Sequence, residues 1–148
     1  MPQRNVNVMI VEDDPDHAEL ARRMLADQEP AGVITRFTDG VAALEFLRGT
    51  AAGGPAPLPD VILLAQHLIR SGDLDVLAEI KHDPRLKAIP VVVLAASVTP
   101  ADVSLAYRCH ANSYLVKPAN REDFARMMND VGCYWLARNR LAPPPTPR

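Results

Sequence analysis

A chain of 148 residues is the size of one domain, long enough for a core that needs no covalent staple. Its 48% hydrophobic and 23% charged residues give the balance of a soluble globular protein, and a net charge of −2 argues against a broad cationic grip on nucleic acid. No stretch approaches the roughly 20 apolar residues of a membrane span, and two cysteines make neither a disulfide framework nor a zinc site. The opening MPQRNVNVMIVEDD lacks the pattern of a signal peptide, so a cytoplasmic location is expected.

Five short apolar runs alternate with five helical patterns. The first run, residues 7–11, ends at Glu12-Asp13-Asp14. Pro15 then opens a helix that places Ala18, Ala21 and Leu25 on one face. Residues 33–37 form the second run, and after Thr38-Asp39-Gly40 a helix carries Val41, Leu44 and Leu47 as its stripe. Residues 49–59, rich in Ala, Gly and Pro, read as irregular. The third run, 61–65, leads through a loop to a helix expected from Asp73 to Lys81, stopped by Asp83-Pro84. After the fourth run, 91–95, Thr99-Pro100-Ala101-Asp102 starts another helix with a cap and an early proline. The fifth run is 113–116. Asn120 caps a last helix whose apolar positions Phe124, Met127, Met128, Val131 and Trp135 predict that it continues to about Arg138. One domain over 1–141 and a Pro-rich tail over 142–148 are expected.

Runs that are β-branched or Leu-rich rather than alternating suit strands buried on both faces of a parallel sheet. The order βαβαβαβαβα predicts an open, doubly wound α/β sheet, whose chemistry sits beyond the carboxyl ends of its strands. That rule selects Glu12, Asp13 and Asp14, residues 65–73, residues 95–99, and Lys117. Carboxylates gathered at a strand end repel one another unless something positive answers them: a hard divalent ion such as Mg²⁺, or Lys117. Alternatively, Asp14 and Asp16 merely favour the helix N-terminus that follows.

The motifs VMIVEDDPDHAEL, PDVILL, PVVVLAAS and NSYLVKP, in that order and at these spacings, resemble the response-regulator receiver domain over about residues 5–138. The resemblance implies a flavodoxin-like (βα)5 fold with strand order 2-1-3-4-5. It implies that Glu12 and Asp13 are the acidic pair, Tyr114 the switch aromatic and Lys117 the phosphate-contacting lysine. Two positions depart from it. Where a working receiver presents the aspartate phosphorylated by a histidine kinase stands Ala65, which offers no nucleophilic oxygen. Where a Thr or Ser bonds the phosphoryl group stands Ala95. The loop has drifted too, with Ile69 in place of the usual Pro and Asp73 in place of the usual Gly.

Glu12, Asp13, Ala65, Ala95 and Lys117 are therefore expected to form a degenerate phosphorylation pocket in a protein that is not an enzyme. With one ligand carboxylate gone, Mg²⁺ is expected to bind weakly or not at all at Glu12 and Asp13, with Lys117 falling back onto Asp13. The alternative is an ordinary phosphoaccepting regulator carrying inactivating substitutions. A small-ligand enzyme of flavodoxin-like architecture is disfavoured, because Glu12-Asp13-Asp14 repels the phosphate that such a loop holds.

The extended ending, with Tyr134-Trp135-Leu136, resembles stand-alone regulators paired with bacterial phytochrome kinases. That resemblance implies a sensor histidine kinase, of phytochrome type, as partner, and a homodimer formed through the last strand and helix region. Phe124, Met128, Tyr134, Trp135 and Leu136 are the expected interface, and neither nucleic acid nor membrane is expected as a partner.

Overall fold

The structure is a computed structural model and describes residues 5–28, 31–96 and 98–141. The opening residues 1–4, residues 29–30, Ser97 and the Pro-rich tail, 142–148, lie outside the described residues.

Five parallel strands form one sheet in the order β2-β1-β3-β6-β7: β1 (Val6–Val11), β2 (Ala31–Phe37), β3 (Val61–Ala65), β6 (Val91–Ala95) and β7 (Ser113–Val116). The two remaining strands, β4 (Arg70–Ser71) and β5 (Leu74–Asp75), form a small antiparallel hairpin outside the sheet. Counting sheet strands alone, the order is the expected 2-1-3-4-5. The helices are α1 (Pro15–Ala26), α2 (Gly40–Ala51), α3 (Val76–His82), α4 (Pro100–Arg108) and α5 (Arg121–Gly132).

Side chains alternate across a strand, so each central strand feeds two cores. Met9, Val11, Ile62, Leu64, Val91 and Val93 meet Leu44, Leu47, Leu77 and Ile80 from α2 and α3. Val8, Ile10, Val61, Leu63, Val92 and Leu94 meet Leu25 of α1 and Phe124 and Met128 of α5. Burial on both faces holds for β3 and β6, every residue of which is buried. It does not hold for β2 and β7, which are edge strands with less cover.

Three local expectations differ from the structure. Val41 is exposed, and the buried stripe of α2 runs instead through Gly40, Ala43, Leu44 and Leu47, the i, i+3, i+4 and i+7 positions of one helix face. Helix α3 starts at Val76 rather than Asp73, because Gly72 adopts φ 60° and folds residues 70–75 into the hairpin. Asp75 then caps α3 by accepting the Ala78 N–H at 2.9 Å.

The third difference is at the chain's end. The last helix reaches Arg138 as expected, but its final six residues, Cys133–Arg138, form a π-helical turn. Such a turn holds an extra residue per repeat, which carries the apolar stripe from Trp135 to Leu136. Leu136 is fully buried and Trp135 only partly so. Phe124 and Met128 are buried with it, which removes these three residues from the surface they were expected to form.

Candidate functional site

The parallel register brings four strand ends to one edge. Val11 pairs with Leu64, Ala65 with Leu94, and Ala95 with Val116. Glu12, Ala65, Ala95 and Lys117 are thus brought to one edge of the sheet. Backbone bonds hold the rim: Glu12 N–H donates to the Phe37 carbonyl at 2.9 Å, and Lys117 N–H donates to the Ala95 carbonyl at 2.7 Å. Asp14 caps α1 by accepting the N–H groups of Asp16 and His17 at 2.9 and 3.1 Å. The reading of Asp14 as a helix-terminal acid therefore holds as well.

One ion pair and one hydrogen bond organise the site. Lys117 Nζ donates directly to Glu12 Oε1, with side chains only 7% and 5% exposed. The lysine therefore falls back onto Glu12, not onto Asp13. Glu12 is the buried acid and Asp13 the exposed one, because successive side chains at a strand end point to opposite sides. His17 joins the buried pair, its Nδ1 lying 3.3 Å from Lys117 Nζ and 3.7 Å from Glu12 Oε1, while its ring packs on Phe124. Nothing in the sequence marks His17 beyond its place in the first turn of α1.

Asp13 takes a different partner. Its Oδ1 lies 2.6 Å from Nε2 of His67, in the 3₁₀ turn Gln66–Leu68 just after Ala65. The hydrogen bond from His67 holds the Asp13 carboxyl below its ordinary range. Glu12, Asp13 and His67 bring one ligand atom each to within 4.8 Å of one another.

Ala65 and Ala95 are both buried, and each presents a methyl group. Tyr114 packs against the core with its hydroxyl buried and no partner for it among the described residues. Burial raises its pKa above the ordinary value, with the nearby Asp102 carboxylate adding to the effect.

The fit of Mg²⁺ can be judged from these groups. That ion takes near-octahedral oxygen ligands. Position 65 supplies none from its side chain, one Glu12 oxygen is engaged by Lys117, and the third nearby donor is a ring nitrogen. The donor set does not suit it.

Residues 8–129 match the response regulator receiver domain. The chain belongs to that family. Among curated relatives, this receiver is 41% identical over 137 residues to the probable methanogenesis regulatory protein FilR2 of Methanothrix harundinacea, covering 93% of this chain and 88% of that one. It is 36% identical over 129 residues to the response regulator Rcp1 of Synechocystis sp., covering 87% and 88%. Among solved structures, the phosphorylated cyanobacterial phytochrome response regulator RcpA superposes with a TM-score of 0.83 at 34% identity, over 93% of this chain and 98% of that one. The flavodoxin-like receiver fold and a place in two-component signalling follow. Among the described residues, no helix is long and apolar enough to cross a membrane.

Proposed function

We propose that this receiver acts without an acyl phosphate, as a docking and dimerisation module of two-component signalling. The observation that carries this reading is the methyl group of Ala65 at the carboxyl end of β3, where phosphoryl transfer needs a carboxylate oxygen. Ala95 on the neighbouring strand removes the hydroxyl that would bond a transferred phosphoryl group. The acids left behind each have a partner: Glu12 pairs with Lys117, and Asp13 is hydrogen-bonded to His67. A site balanced in this way stays in one arrangement without phosphate. Incubation with acetyl phosphate and a divalent ion is expected to leave the intact mass unchanged. A phosphoryl mass gain that maps to an aspartate overturns the reading.

The similarity to a phosphorylated relative supports a second reading, an ordinary regulator carrying an inactivating change at position 65. Ala65→Asp separates the two. Full phosphoryl uptake on that single change points to an otherwise working site.

The proposed partner is a sensor histidine kinase of phytochrome type, a reading supported by the similarity to the phytochrome response regulator RcpA. Homodimerisation through the last strand and helix region is supported by position and chemistry: β7 is a sheet edge, Val116 on it is exposed, and Tyr134 is 53% exposed with its ring edge-on to Trp135. Exposed aromatic and aliphatic groups of this kind anchor interfaces. Val116→Lys is expected to weaken self-association by at least about tenfold, or about 1.4 kcal/mol. Sedimentation equilibrium checks this, and an unchanged dimer constant moves the interface elsewhere.

A further inference from the structure

We propose that Glu12, Asp13 and His67 form a binding site for a borderline divalent metal ion of the Zn²⁺ class, in place of a hard-cation site. The proposal rests on the reading that position 65 supplies no carboxylate. The donor that stands close to the acidic pair is instead the imidazole of His67, two residues further along the same loop. Exchanging a carboxylate for an imidazole changes which ion the crevice prefers, because ring nitrogen suits Zn²⁺, Co²⁺ and Ni²⁺ whereas Mg²⁺ favours all-oxygen shells.

The geometry is close to what such an ion needs. The three ligand atoms lie within 4.8 Å of one another. Two donors on a tetrahedral ion with bonds of about 2.0–2.1 Å stand about 3.3 Å apart. Asp13 Oδ1 and His67 Nε2 are now 2.6 Å apart, so each need move by only a fraction of an ångström. Both side chains are about half exposed, which leaves that movement free and lets water complete the shell. Glu12 keeps Oε2 for the ion: its Oε1 is held by Lys117, while Oε2 receives a long bond from the Asp14 N–H at 3.3 Å. Two carboxylates, one imidazole and a water make a four-coordinate set of the kind zinc accepts. The Lys117 charge lowers the affinity for every cation alike, so the preference among ions falls to His67.

Calorimetric titration of the full chain with Zn²⁺ and, separately, Mg²⁺ tests the site, with His67→Ala and Asp13→Asn as variants. The expected result is Zn²⁺ binding on the order of 100-fold tighter than Mg²⁺, in the direction that nitrogen ligation dictates. His67→Ala is expected to weaken Zn²⁺ by at least about tenfold, the scale on which even outer-shell partners act, while leaving Mg²⁺ unchanged. Asp13→Asn weakens both ions. His17, Cys109 and Cys133 offer other donors, so two-dimensional NMR of the histidine rings is followed in parallel, and the His67 signals must shift first. Zn²⁺ affinity unaltered in His67→Ala, or Mg²⁺ bound as tightly as Zn²⁺, overturns the proposal. Such a failure leaves the acetyl phosphate result standing, and a phosphoryl mass gain fails the proposed function without altering the metal titration.

Discussion

Lys117→Ala is expected to destabilise the domain by about 3–5 kcal/mol, the cost of leaving one partner of a buried ion pair uncompensated. Glu12 and Lys117 are the polar residues buried among the described residues, and they are buried against each other. Removing the lysine strands a carboxylate that water barely reaches, with the His17 ring and a long bond from the Asp14 N–H left beside it. The cost arises from the unpaired acid and not from a large net value of the pair, which a companion variant tests. Glu12→Gln combined with Lys117→Met removes both charges and is expected to recover most of the loss. Urea unfolding of the three chains measures this. A Lys117→Ala cost under about 1 kcal/mol is the level of an exposed ion pair and means that water screens the crevice. The same measurement bears on function, because a regulator that held its lysine in reserve for phosphate would tolerate its loss better than one that uses it as structure.

The sheet was legible because its strands carry their own signal. Apolar runs such as residues 61–65 and 91–95 are bounded by turn residues and too short for helices, so their parallel burial follows. Once the strand order is known, register alone carries Glu12, Ala65, Ala95 and Lys117 to one edge. What could not be read is which acid each cation meets. Glu12 and Asp13 are adjacent in sequence, and only the direction of the last strand residue decides which turns inward to Lys117 and which turns out to His67. The hairpin over residues 70–75 was hidden for a similar reason, since the φ of Gly72 outweighs the helix-favouring acids around it. Periodicity likewise gave the length of the last helix but not its phase, because a π turn leaves no mark in the apolar spacing.

That phase has a measurable consequence. Leu136→Ala is expected to cost about 2–5 kcal/mol, the range for emptying a fully buried leucine site. Leu136 lies beyond residues 8–129, the part matched to the receiver family, yet it packs into the same core as Leu25, Phe124 and Val131. The approach of the last helix to α1 is close: a Cβ on Gly132 would stand 2.8 Å from Cγ of Gln28 and 3.3 Å from a methyl of Leu25. Such proximity leaves little room for the segment to shift inward and fill a cavity at position 136. Tyr134→Ala, by contrast, is expected to change stability by no more than about 0.5 kcal/mol, as for an exposed side chain, and to act on self-association alone. Thermal and urea unfolding of the two variants separates a structural role for this ending from an interfacial one. If Leu136→Ala costs less than about 1 kcal/mol, the π turn does not hold in solution, and position 136 returns to the surface on which a partner could dock.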